Sequence, residues 1–412
     1  MYSFSGKIKL VAIISMVVGL LGIGYSFIAT PSTVEALGAH ASHDPAHAEH
    51  VLHLLQNKPW AALYVAALFF MLISLGVLAF YAINRAAQAG WAPILFRVME
   101  GITGYLPIGA LVFFLLLVFS GLHFNHLFIW MDPAVVAHDT VIQGKTGYLN
   151  VPFFLVRTAI YMLGWIAYRQ ITRKLSKAQD QAHDNRPFIK AFKWSAGFLV
   201  FFLVSESMMS WDWVMSVEPH WVSTLFGWYV FGSLITSAIA AIILVTVTLK
   251  AQGYLQQVND SHLHDLAKYL FGFSIFWAYL WFSQYLLYWY SNIPEEVTYF
   301  VTRLEHYEPI VLSMLAINFL LPLLILVDSD IKRKPWVVGT MAVVILIGHY
   351  LDFFNMIMPA TVGDQWCIGA GEIGSVLFFF GLFTFVTFHS LTKAPLVEKN
   401  HPLMHESEHF HY

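Results

Sequence analysis

The sequence predicts an all-α polytopic membrane protein, and three observations carry that prediction. Of the 412 residues, 58% are hydrophobic and only 11% are charged, too little polar surface to enclose a water-soluble core. The mean hydropathy is +0.64. The apolar residues also come in ten runs, at roughly 7–29, 59–83, 104–128, 151–171, 194–211, 222–249, 267–290, 309–327, 335–351 and 369–391, each near the ~20 residues that a helix needs to cross hydrocarbon. Ten spans follow, as one membrane domain.

The first run lacks a small-residue cleavage site and is long enough to remain a span. Between it and the second lies a loop at 31–58 carrying His40, His43, His47, His50 and His53. Spacings of three and four put these rings on one helical face. A solvated histidine-rich surface helix is the expected reading, and no metal site is assigned. The stretch 172–193 is the most basic loop and reads as a contact with lipid headgroups. The polar tail, 393–412, carries His401, His405, His409 and His411. Spans 3, 5, 7 and 9 end alike, in aromatic, then acidic or amide, then proline residues: 128–133, 211–219, 288–294 and 352–359. Two four-helix bundles, spans 2–5 and 6–9, with spans 1 and 10 outside, would generate this repeat. Aromatic belts and helix stops common to all outward ends would generate it too.

Ten spans put both termini on one side. With that alternation, 18 of the 22 Lys and Arg residues fall on the side of the termini, three (Lys58, Lys145, Arg303) on the other, and Arg157 inside a span. This bias predicts cytoplasmic termini in a bacterial inner membrane, a periplasmic 31–58 loop and a cytoplasmic tail.

Ionisable residues inside or beside the spans gather toward the outer face: His123, Asn125 and His126 on span 3, Arg157 on span 4, Glu206 and Asp212 on span 5, His349 and Asp352 on span 9, and Glu372 on span 10. Charge in hydrocarbon is costly, so each should face the protein interior and meet a partner. By the 1.5 Å helical rise, Arg157 lies roughly 9 Å below the start of its span and Glu206 about 6 Å below the end of its own, and the two are expected to pair. His123 with His126, and His349 with Asp352, are spaced i, i+3 and are expected to share a helical face. A histidine backed by a carboxylate suits the oxidation of a quinol, which releases protons to a group titrating near neutrality. The candidate site is therefore His123, His126, Arg157, Glu206, Asp212, His349 and Asp352, with His123, Asp212 and His349 as quinone contacts. A single cysteine, Cys367, excludes a thiolate-held iron–sulfur cluster and a Cys-x-x-Cys-His haem attachment within the chain. Histidines near span ends disfavour bis-histidine haem. No basic patch with interleaved aromatics points to nucleic acid.

The run Ser-Trp-Asp-Trp-Val-Met-Ser-Val-Glu-Pro-His-Trp-Val-Ser-Thr-Leu-Phe-Gly, residues 210–227, closely resembles the membrane subunits of bacterial alternative complex III, of the NrfD or polysulfide-reductase membrane-subunit superfamily. The ten-span layout and the length fit as well, and the chain looks most like the smaller, ActF-type, of that complex's two such subunits. The resemblance implies a subunit of a respiratory quinol:cytochrome c oxidoreductase. Its partners would be a sister membrane subunit, periplasmic multihaem cytochrome c and iron–sulfur subunits, and membrane lipid. It would hold no covalent cofactor, and its role would be quinol contact or proton translocation. Two readings of other classes stand beside this one. The chain could be a structural anchor whose sister binds quinol. It could also be an ion-coupled transporter, which the end-placed prolines disfavour, Pro107 and Pro322 excepted.

Overall fold

The structure, a computed structural model, describes residues 2–36 and 45–411. It is 80% helical, with ten helices among the described residues long and apolar enough to cross a membrane. These are α1 Gly6–Ala29, α2 His47–Ala86, α3 Pro93–Gly121, α4 Val151–Gln179, α5 Arg186–Val217, α6 Phe226–Ala251, α7 Asp260–Ser291, α8 Glu308–Ile325, α9 Pro335–Val362 and α10 Ala370–Leu391. The chain is a multi-pass, all-α membrane protein.

Helices α2 to α5 pack as one bundle and α6 to α9 as another, joined where α2 lies against α6 and α9. These central helices are the most enclosed: 94% of the apolar window of α2 and 83% of that of α6 are buried, against 11% for α1. Small residues let the backbones close in. A Cβ on Gly76 of α2 would stand 2.6 Å from the Leu234 carbonyl oxygen of α6. Helix α1 packs almost wholly on α10, where a Cβ on Gly19 would meet the Phe378 nitrogen at 2.3 Å and one on Gly381 the Ala12 oxygen at 2.5 Å. Van der Waals packing of small residues replaces the hydrophobic effect, which lipid does not supply between helices.

Several boundaries differ from those read in the sequence. The second half of the 31–58 loop belongs to α2, which is helical from Pro45 through Pro59; His47, His50 and His53 lie on it, while His40 and His43 fall outside the described residues. Helix α3 stops at Gly121, short of 128. Helix α9 runs eleven residues beyond its predicted end at 351, and Pro359 sits inside it. A mid-helix proline leaves the carbonyl four residues back without its donor. Here that carbonyl belongs to Asn355, and the guanidinium of Arg303 supplies the missing N–H, with Nε at 3.1 Å, while Nη2 reaches the Met356 oxygen at 3.2 Å. Arg303 comes from the short amphipathic helix Pro294–His306, so a loop side chain repairs a break in a span.

The tail, expected as a polar extramembrane segment, is docked against the helices. Glu398 of the tail contacts Arg85 of α2 and accepts from Ser176 Oγ at 2.6 Å. His401 is buried between the edges of Phe96 and Phe188, its Nδ1 accepting the Leu403 N–H at 3.2 Å. Burial, with Arg85 adding to it, pushes the His401 imidazole down to about 3. A value below the ~6.5 of a free imidazole means that the undocked tail binds the extra proton. Docking is therefore at full strength above about pH 6.5 and weakens as pH falls through the window beneath it. Tail release, read as limited proteolysis between pH 7.5 and 5.5, is expected to rise in the wild type and to lose that component in His401→Phe, which keeps the aromatic packing and shares Arg85 and Glu398. Identical pH responses in the two proteins would refute the assignment.

Candidate functional site

The polar residues of the spans resolve into two clusters, one in each bundle. In the first, Arg157 of α4 and Asp212 of α5 form a two-pronged ion pair: Nε donates to Oδ2 at 3.0 Å and Nη2 to Oδ1 at 2.8 Å. Both side chains are buried, at 4% and 0% exposure, which a charge tolerates only with a matched partner. Tyr161, one turn from Arg157, donates to Oδ2 at 3.1 Å. The remaining Arg157 nitrogen donates to the Tyr148 carbonyl at 2.9 Å, and the guanidinium lies over the Tyr148 and Phe153 rings.

Glu206, the expected partner of Arg157, is not in this pair. It precedes Asp212 by six residues, about 1.7 helical turns, so only Asp212 presents to α4. Glu206 is buried elsewhere in the bundle, its Oε1 without a hydrogen-bond partner. His123 and His126 are likewise displaced. With α3 ending at Gly121 they lie in the turn beyond it, His123 at a φ of +62°, both exposed, and no helical face unites them. The peptide of His126 exchanges two hydrogen bonds with the Asn57 side chain, at 2.9 and 3.1 Å. Its ring meets His53 edge-on.

Beside the first ion pair, on the face opposite the termini, is a pocket of about 340 Å³. One wall comes from the 211–222 segment, with Trp211, Met215, Ser216, Pro219 and Trp221; the other is the approach to α4, from Gly144 to Leu149. The indole nitrogens of Trp211 and Trp221 are buried and make no hydrogen bond. Trp221 is fixed by stacking on Tyr299 at 3.8 Å. Tyr148 joins pocket to ion pair, since it lines the one and lies under Arg157 of the other. Burial and the Asp212 charge push its phenol up to about 12, so it stays protonated as a donor. At the rim His220 Nε2 meets Asp139 Oδ2 at 2.5 Å, and that carboxylate is held below its usual range by the Ile142 N–H and by His220.

The second cluster centres on Asp352 of α9. Three donors converge on its carboxylate: Tyr229 and Ser233 of α6, the latter at 2.5 Å, and the Trp277 indole of α7 at 2.8 Å. His349 stands one turn away, Nδ1 to Oδ2 3.8 Å, both fully buried. The i, i+3 reading holds for this pair, but its depth does not. Since α9 continues to Val362, His349 lies about 20 Å from that end, near mid-span. Neither of its ring nitrogens has a hydrogen-bond partner, nor has the side chain of Asn318 on α8, which abuts Gly348 of α9. Helix α8 widens there into a π-helical turn, Ala316–Leu320, just before Pro322, whose missing N–H breaks the regular ladder. Glu372 caps α10, accepting the Gly369 N–H at 2.9 Å.

Sequence reasoning missed the hydroxyl and indole donors, Tyr148, Tyr161, Tyr229, Ser233 and Trp277. The i, i+4 spacing of Arg157 and Tyr161 was a signal for one of them. It also missed a third cluster on the side of the termini, where Glu100 of α3 is buried among Arg85, Arg97 and Arg173 and accepts from Tyr81 at 3.0 Å. Far fewer polar residues in or beside the spans were expected in that half.

Fold and site define a multi-pass membrane protein with a buried ion pair behind a largely apolar, Trp-lined pocket at one face. Comparison with models of protein families and with curated proteins finds no match.

Proposed function

We propose that this chain is a membrane subunit of a respiratory quinol-oxidising complex in a bacterial inner membrane, and that the pocket beside Arg157 and Asp212 receives the quinol headgroup. The observation that carries the reading is the pocket itself, built from the 210–227 motif, of a volume that suits a small ring. The rings of Trp211 and Trp221 line it, and a carboxylate stands behind it. In this scheme the bias of Lys and Arg toward the termini puts those termini in the cytoplasm and the pocket at the periplasmic face. A quinol bound there loses two electrons and two protons. The electrons pass to iron–sulfur and haem centres of partner subunits. The protons leave past the pocket wall toward outer water, with Tyr148 as the pocket phenol beside the Arg157–Asp212 pair. The rings of Trp211 and Trp221 pack against the ring of the quinone formed. Asp212 and Arg157 are positioning residues here, because neither lines the pocket. The buried Asp352 and His349 pair would serve proton handling deeper in the membrane.

Gly147 offers a direct test, since a Cβ there meets nothing within 4 Å. Gly147→Trp should fill the pocket without strain and weaken binding of a quinol-analogue inhibitor by about tenfold or more, a loss of roughly 1.4 kcal/mol, at unchanged thermal stability. Unaltered inhibitor binding would move the quinol site to a sister subunit and leave this chain as an anchor.

A further inference from the structure

A second cavity, of about 410 Å³, lies on the side of the termini, between the α1–α10 pair and the central helices. It exists because α1 rests on α10 and scarcely touches α2, leaving a gap at the start of α1 where the glycine contacts with α10 stop. Its walls are apolar, with Val11 of α1, Phe70 of α2, Ala241 of α6, Val343 of α9 and Phe380 of α10. Lys7 and the hydroxyls of Thr248, Thr384 and Thr387 break the apolar pattern. Lys7, in the first turn of α1, is the single charged residue of the lining, and no acidic group accompanies it. Thr387 of α10 is fully buried, and its Oγ1 has no hydrogen-bond partner. Thr387 stands four residues from the end of α10, about 6 Å by the helical rise. From the end of the spans inward the cavity thus offers a cation, then threonine hydroxyls, Thr387 among them, then hydrocarbon.

We propose that this cavity is a binding site for one anionic glycerophospholipid of the leaflet facing the termini, with an acyl chain in the groove, an ester carbonyl accepting from Thr387 and the phosphate against Lys7. The order of groups matches that of the lipid, phosphate outermost, glycerol ester next and methylenes deepest. An apolar chain alone would leave Thr387 unpaired, which is costly where water is absent. A quinone, whose polar ring has no anionic group, would leave Lys7 without a counter-charge. The lipid would complete the fold by filling the space between α1 and the core, where protein atoms do not meet.

The test uses the full chain purified from native membranes with p-benzoylphenylalanine in place of Phe380, whose side chain is 43% exposed and lines the groove. Irradiation followed by intact mass measurement should give an adduct with the mass of an anionic glycerophospholipid. Lys7→Glu, at an exposed position that folding does not require, should lower that yield by about fivefold, as loss of one lysine–headgroup attraction. Thr384→Trp, which fills the groove, should abolish the adduct. Equal yields in wild type and Lys7→Glu, an adduct to a neutral lipid or quinone, or a cross-link to a polypeptide would each overturn the proposal.

Discussion

Asp212→Asn and Arg157→Gln, each alone, are expected to cut the amount of folded protein sharply, while the double replacement recovers most of it. Either single change strands one member of a two-pronged pair whose side chains are at most 4% exposed. Removing one partner of such a pair costs about 3–5 kcal/mol, whereas removing both is close to neutral. Tyr161 sharpens the asymmetry, because its hydroxyl donates to Asp212 and still finds an acceptor in the asparagine. The double variant is also the one that reads function, because it separates folding from chemistry. If Asp212 sets the proton-accepting character of the pocket wall, quinol turnover per folded molecule should fall by about 100-fold. Wild-type turnover in a well-folded double variant would make the pair purely structural. A double variant as unstable as the singles would show that the two side chains do not act as a pair.

Asp352→Leu is expected to be at least as damaging, and no second change nearby should rescue it. Three buried donors, Tyr229, Ser233 and Trp277, lose their common acceptor at once. An unsatisfied buried donor costs about 1–3 kcal/mol, so the second bundle should lose several kcal/mol, seen as a large drop in unfolding temperature in detergent. His349→Phe provides the contrast. The ring makes no hydrogen bond and packs edge-on against Trp277 at 5.5 Å, so an aromatic replacement of similar shape should cost less than about 1.5 kcal/mol. Turnover that falls in a stable His349→Phe protein would assign the imidazole a proton-carrying role. A protein that neither unfolds nor slows would leave His349 as packing only.

Composition and the spacing of apolar runs sufficed for the class and the number of spans, because the hydrocarbon core imposes a minimum helix length that no tertiary contact can override. The 210–221 run stood out for the same reason, as indoles, carboxylates and a histidine crowded at the end of a span. Local periodicity also sufficed for the His349 and Asp352 pair, three apart on an uninterrupted helix. It failed for His123 and His126, because α3 ends at Gly121 and the periodicity no longer applies beyond it. The choice of Asp212 over Glu206 as the partner of Arg157 needed the tertiary structure. Both carboxylates lie on α5, and only the rotation of that helix against α4 decides which faces the arginine. Pro359 reads as a helix stop in any single sequence. It is tolerated because Arg303, 56 residues earlier, lends an N–H to the carbonyl that the proline leaves free. The tail read as a polar extramembrane segment, with nothing in it to name a docking partner. It docks because Arg85, Arg97 and Arg173 bring more positive charge to the side of the termini than Glu100 and Asp180 balance, and Glu398 is the carboxylate that the folded chain delivers to Arg85. In each case the residue type was legible in the sequence, while the partner was fixed by contacts between residues distant along the chain.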